Sequence, residues 1–423
     1  MLLKNGRVIN PANKVDAELD IRIDDGIIVQ IEKNLTPKTG EEVFDCFGKV
    51  IAPGLVDIHC HLREPGFTAK ETIKTGIESA FNGGYTAICP MANTNPVVDN
   101  LMTLTYVLDK AKENQKVIIY PICALTKDLD GKSIVNMSEL KDNGAVAFSD
   151  DGKPVEDMKL LSLALEYAES LGSLVISHSE DSSLAKNGVI NESIVSSRQG
   201  LKGISTLAES VAVARELEVV RHYNTRYHFA HISTARSVEL IRQAKKEGLK
   251  VTCETAPHYF SLTQDDIVPF DARFKMNPPL RSKEDLSEII KGLQDGTIDI
   301  IATDHAPHTV DEKQSPIQKA PMGIAGFETA LGLTLTNLVH TGNLSLMQAL
   351  EKLTHSPSLL LNLEDQGNIK INSIANLSII DINEEWEVNA SEFKSKCRIS
   401  PFDKIKLKGR AVATVANGRL NVI

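Results

Sequence analysis

The stretch DIHCHLREPG (57–66) places His59 and His61 one residue apart, with Arg63 two further on. Along an extended strand alternate side chains share a face, so both imidazoles and the guanidinium are expected on one side, with Cys60 and Leu62 on the other. Related residues close other short apolar runs: His178 follows LVIS, His231 ends YHFAH, Asp150 and Asp151 follow AVAFS, and Asp304 follows DIIAT. Four histidines and at least two carboxylates, with no sulfur among them, make a nitrogen-and-oxygen donor set suited to zinc or another divalent first-row ion in a hydrolytic site. That is more than one catalytic ion would use. Two ions about 3.5 to 4 Å apart, bridged by a carboxylate and a hydroxide, would use the whole set. His59, His61 and Asp304 would then serve one ion, His178 and His231 the other, and the fourth strand would supply the bridge.

Each residue alone has a plainer explanation. A single histidine at a strand end is more often a hydrogen-bond partner of the backbone, and an Asp in SDDG is usually a turn or helix cap. What outweighs these explanations is that five of the eight apolar runs end in His or Asp.

Those runs lie between about 54 and 360: VDIH (56–59), TAIC (86–89), VIIYPI (117–122), AVAF (145–148), LVIS (174–177), YHFAH (227–231), VTCE (251–254) and DIIAT (299–303). Helix-like stretches such as AKETIKTGIESAFNGG and VEDMKLLSLALEYAESLG separate them, which points to parallel strands with crossover helices. Eight such units fit a (β/α)8 TIM barrel better than an open doubly wound sheet, and reacting groups in that barrel sit where the strands end. Residues 1–53 and 365–423 read instead as strands and tight turns, including an NG turn before RLNVI. Neither segment has enough strands to stand alone, so the two are expected to combine into a small β-sandwich domain beside a barrel of residues 54–364.

Composition narrows the function. The 423 residues are 42% hydrophobic and 24% charged, with a formal net charge of −10, so there is no basic footprint for nucleic acid. Six cysteines without a CxxC pair suggest neither a disulfide framework nor a thiolate metal site. The start MLLKNGRVINP lacks an apolar leader core and no later run would span a bilayer, so a cytoplasmic protein without membrane contact is expected.

The HxH on strand one, the single histidines on strands five and six and the Asp on strand eight resemble the amidohydrolase superfamily. Within it, DIHCHLREPG and ATDHAPHTVDEK (302–313), with MANTNP (91–96) and KMNPPLR (275–281), are similar to the dihydroorotase family, in its long bacterial class, over essentially the whole chain. The resemblance implies two divalent ions, zinc being the expected one, held by His59, His61, Asp151, His178, His231 and Asp304. Strand four runs into FSDDG with no lysine where many superfamily members carry a carboxylated one. Asp151 is therefore the implied bridge, ahead of Asp150, and the departure counts against the hydantoinases.

The implied reaction is the reversible cyclisation of N-carbamoyl-L-aspartate to L-dihydroorotate in pyrimidine biosynthesis, with Asp304 as general acid and base. Arg63 offers a planar fork for the substrate carboxylate. Asn93 and Asn277 are implied substrate contacts, His308 would complete the anion site, and Gly323 could present its amide to the ring. The polar segment TVDEKQSPIQKAPMG (309–323) is expected to close as a lid. His305 is expected just behind the metal ligands, His258 at the rim, and His228 as a structural residue. The surface could support a homodimer. The rival readings are another cyclic amide hydrolase, such as a dihydropyrimidinase, hydantoinase or allantoinase, and a non-catalytic scaffold that has lost its ligands.

Overall fold

The computed structural model describes all 423 residues. The barrel strands are Leu55–Cys60, Tyr85–Pro90, a third in two pieces (Ile118–Ile119 and Ile122–Cys123), Ala147–Ser149, Val175–Ser177, Tyr227–Phe229, Val251–Thr255 and Ile300–Ile301. Every neighbouring pair is parallel. The third strand breaks at Tyr120–Pro121, where proline has no amide to give; its first piece pairs with strand two and its second with strand four. The ring closes between strands eight and one. Cys60 bridges His305, the His61 amide donates to the His305 carbonyl at 2.8 Å, and the Thr303 amide and hydroxyl donate to the Asp57 carboxylate at 2.8 and 2.6 Å. The expected eight-stranded barrel is the observed one.

Local sequence explains the helices that wrap it. Thr72 and Thr75 form a capping box at the start of Ile73–Asn82, which buries Ile73, Ile77, Ala80 and Phe81 at helical spacing. Gly76 on that helix admits Leu62: a Cβ there would lie 2.4 Å from Leu62 Cδ2, so Leu62 packs into the helical layer as strand alternation predicts. Asp157 caps Met158–Ser170 through the amides of Lys159 and Leu160 at 2.8 and 3.2 Å, and that helix buries Leu161, Ala164, Leu165 and Ala168.

Strands from both chain ends form one eight-stranded sheet. Its order runs from Arg419–Val422 through Lys406–Ala416, Leu377–Glu387, Val50–Pro53, Leu2–Asn10 and Val15–Asp24 to Ile27–Glu32, with Val43–Asp45 paired beside Leu2–Asn10. The sheet curls until its far hairpins meet, for a Cβ on Gly418 would fall 2.0 Å from the Gly26 Cα. Ile21, Ile23 and Ile28 thereby share one apolar core with Leu377, Ile379, Ala413 and Val415. The two layers expected of a sandwich are parts of one continuous sheet.

Residues 388–405 leave this sheet and lie on the barrel. The Lys394 amide donates to Glu328 at 2.8 Å and the Ser395 hydroxyl to the buried Glu71 at 2.5 Å. No helix is long and apolar enough to cross a membrane.

Candidate metal centre and active site

Four strand-end histidines converge on Asp151. Its Oδ1 lies 3.3 Å from His59 Nε2, 3.6 Å from His178 Nδ1 and 3.4 Å from His231 Nε2, and its Oδ2 lies 3.4 Å from His61 Nε2. Asp304 Oδ1 sits 3.2 Å from His61 Nε2 and 3.7 Å from His59 Nε2. Two sets of three donors, His59–His61–Asp151 and Asp151–His178–His231, each lie within 4.8 Å of one another, and Asp151 belongs to both. All six residues are buried.

The donor chemistry fits cations. Glu254 Oε1 stands 2.6 Å from His59 Nδ1, and a carboxylate can only accept, so Nδ1 carries a proton and it is the Nε2 lone pair that can meet a cation. That lone pair faces oxygens of Asp151 and Asp304, and both His59 Nε2 and Asp151 Oδ1 are buried without a hydrogen-bond partner. Three such electron-rich atoms side by side are favourable only around positive charge. Protons can supply part of that charge: although burial opposes it, Asp151 and Glu254 raise His59 well above its ordinary value, and the imidazoles so charged hold the Asp151 and Asp304 carboxyls well below the usual range. In the same way Asp151 and Glu180 outweigh the burial of His178 and push it up to about 10.

The backbone is bent to make this arrangement. His231 and Asp304 have φ values of +34° and +45°, and Arg63 has +61°, in the left-handed region that side chains with a Cβ rarely occupy. Strand one ends at Cys60, so alternation carries His59 and His61 but a left-handed turn, rather than the strand, places Arg63.

Asp150 is turned away from the centre. It accepts the amides of Leu125 and Thr126 at 2.8 and 2.9 Å, and its burial raises its pKa to about 6. Asn93 Oδ1 lies 2.8 Å from His61 Nδ1, and Asn277 Nδ2 lies 3.4 Å from His178 Nε2. Both asparagines thus touch the histidines, and both are half-buried. His305 lies behind the ligands, its Nδ1 accepting the Gly326 amide at 3.1 Å and its Nε2 3.4 Å from Glu71. His258 packs on Tyr259, and burial lowers its pKa to about 4.

On the anion side, Arg63 donates through Nε to the Pro307 carbonyl at 3.2 Å, and its Nη2 is 3.4 Å from His308. His308 Nε2 is 2.7 Å from the Met322 carbonyl, so it is the protonated nitrogen, and Nδ1 faces the Lys70 ammonium at 3.3 Å. Burial, with Arg63 and Lys70 beside it, lowers His308 to about 2 and keeps it neutral. With both nitrogens engaged, His308 is a neutral wall between two cations, and Lys70 is a cation the sequence analysis missed.

The following segment is held by contacts the sequence does not announce. The Gly323 amide donates to the Lys275 carbonyl at 3.1 Å, and the glycine is required because a Cβ would meet Ala306 Cβ at 2.7 Å and His308 Nε2 at 3.1 Å. The polar stretch expected as a lid is tied down from beneath. Lys313 is buried and donates to the carbonyls of Lys275, Pro321 and Gly323 at 3.0, 3.2 and 2.8 Å, while Lys275 donates to those of Ile317 and Gln318 at 2.8 and 3.3 Å.

Glu254 was also missed, although it closes the run VTCE as His and Asp close the others. Applying the strand-end rule to glutamate would have found it.

Comparison with known proteins agrees with this geometry. The Dihydro-orotase-like family model matches residues 48–237. The chain is 47% identical to the dihydroorotase of Acetivibrio thermocellus, with 100% of this chain and 99% of that one covered. It is 47% identical to that of Citrifermentans bemidjiense, with 99% of each covered. Among solved structures, an L-hydantoinase (dihydropyrimidinase) from Arthrobacter aurescens superposes with a TM-score of 0.90 at 27% identity, covering 100% of this chain and 97% of that one. A dihydropyrimidinase from Brevibacillus agri shares the fold, with a TM-score of 0.85 at 21% identity over 100% and 94% of the two chains.

Proposed function

The chain belongs to the dihydroorotase family, and from that premise we propose that it interconverts N-carbamoyl-L-aspartate and L-dihydroorotate at the centre built around Asp151 and Asp304. The observation that carries this reading is the neighbourhood of two chemistries. A buried cluster of four histidines and two carboxylates stands beside the half-buried Arg63, with the neutral His308 and Lys70 at its edge. Dihydroorotate carries one group for each: a cyclic amide to open and a carboxylate to hold.

Two divalent ions, with zinc as our choice, would be held by His59, His61 and Asp304 and by His178 and His231, with Asp151 shared. When bound they would polarise the amide carbonyl and lower the pKa of water toward about 7. Arg63 holds the carboxylate that does not react, using a planar fork that matches two oxygens. Asn93 and Asn277 flank the opening and orient the ureide edge. Asp304 is ionised and stands at the junction of the cluster, so its carboxylate accepts the proton from the attacking water and delivers it to the departing ring nitrogen. In the biosynthetic direction the carbamoyl nitrogen attacks the side-chain carboxyl carbon, Asp304 removes the nitrogen's proton and passes it to the departing hydroxyl, and water leaves. The six cysteines, all buried and unpaired, support a reducing compartment, hence the cytoplasm.

Hydantoinases and dihydropyrimidinases share the barrel at 21–27% identity, far below the 43–47% of the dihydroorotases. The deciding experiment is an assay of both directions with N-carbamoyl-L-aspartate and dihydroorotate, using hydantoin, dihydrouracil and allantoin as controls. Turnover of dihydroorotate is the expected result. Turnover of a control alone would overturn the assignment.

A further inference from the structure

We propose that Glu254 is a positioning residue for the metal centre: it locks His59 in the tautomer that turns the Nε2 lone pair toward Asp151 and Asp304. The proposal rests on the metal reading above and deepens it.

Glu254 is the penultimate residue of strand seven, on the Nδ1 side of His59, and both side chains are buried to 1% exposure or less. Its two oxygens are each used once. Oε1 lies 2.6 Å from His59 Nδ1, and Oε2 lies 3.2 Å from His228 Nε2. His228 is completed on its other nitrogen by the Thr252 hydroxyl, 2.7 Å from Nδ1. Since an ionised carboxylate only accepts, both imidazoles must donate to it. His228 is then the Nε2–H tautomer, with its Nδ1 accepting from Thr252.

The consequence is a directed chain across the barrel interior from Thr252 through His228 and Glu254 to His59. Its far end is His59 Nε2, the nitrogen aimed at two carboxylates. Without Glu254, His59 could move its proton to Nε2 and satisfy Asp151 directly at 3.3 Å. That alternative would remove a ligand while leaving the fold intact. Glu254 therefore excludes the tautomer that cannot bind metal, as carboxylates behind ligand histidines do in other metal sites.

The test uses the metal-free full chain and two readouts. At pH values where His59 is neutral, histidine 15N NMR of the wild type is expected to show it as the Nδ1–H tautomer, and Glu254→Gln to shift it toward Nε2–H. Zinc titration against a competing chelator is expected to show binding weaker by about 10- to 100-fold in Glu254→Gln. Zinc affinity within about twofold of wild type, or an unchanged tautomer, would overturn the proposal. If the variant does not fold, the wild-type spectrum decides, for an Nε2–H His59 there overturns it as well. A wild type that binds no zinc at all would instead remove the metal reading on which this rests.

Discussion

Asp150 and Asp151 are adjacent in sequence and face opposite ways. The Asp150 carboxylate is spent on the Leu125 and Thr126 amides at 2.8 and 2.9 Å, whereas Asp151 Oδ1 has three imidazoles within 3.6 Å and no hydrogen bond that satisfies it. Asp150 ties the end of strand four to the segment after strand three, and that tie aims Asp151 into the cluster.

The pair predicts two different lesions. Asp151→Asn removes the charge shared by both donor sets, so metal content should fall and kcat/KM should drop by more than about 100-fold, beyond the loss of an outer contact. Asp150→Asn should instead cost about 1 to 3 kcal/mol of stability by weakening a buried charge-assisted network. Metal analysis, turnover and urea unfolding of the two variants separate these effects. Equal loss of metal in both would sink the division of labour.

Asp304→Asn tests proton transfer. The amide can neither accept a proton from water nor return one to the ring nitrogen, so kcat should fall by roughly 10² to 10⁴. KM for dihydroorotate should change far less, because Arg63 and the asparagines remain. A variant that keeps metal and turns over within about tenfold of wild type would show that another group moves the proton.

Arg63→Lys keeps the charge and loses the fork. Losing one charge-assisted hydrogen bond is worth about 1.5 to 3 kcal/mol, so kcat/KM for dihydroorotate should fall roughly 10- to 100-fold. Dihydrouracil has the ring without the carboxylate, so any slow turnover of it should be unaffected. Parallel loss on both compounds would mean that Arg63 supports the fold of the loop rather than the substrate.

How far the sequence carries depends on whether a residue's partners are local. The barrel was legible because parallel strands and crossover helices alternate in period and length, and strand ends report a shared rim; His59, His61, His178, His231 and Asp304 all follow from that rule. Arg63 was placed on the right rim for an incomplete reason, since a left-handed turn, not strand alternation, carries it there. Lys275 and Lys313 were illegible because lysines in a polar, proline-bearing stretch normally read as solvated. Only the folded chain brings five carbonyls around their two ammonium groups. The docking of Ser395 on Glu71 was hidden for the same reason, the partners being 324 positions apart.

Those lysines turn the expected lid into a wall whose strength depends on pH in an unusual direction. Burial lowers the Lys313 ammonium to about 8 from an ordinary value of 10.5 and lowers Lys275 as well. Between those two values the unfolded chain keeps a proton that the folded chain has released, so the unfolded state binds more protons and unfolding free energy rises with pH. The cost of burying the charge is fully present below about pH 8 and disappears toward pH 10.5. A gap of this size corresponds to about 3 kcal/mol. Lys313→Met removes the titration, so the stability of wild type relative to this variant should increase between pH 7.5 and 10, measured by urea unfolding at each pH. A difference that stays flat, or shrinks, across that window would show that Lys313 remains charged in the folded protein and that its three carbonyl partners outweigh its burial.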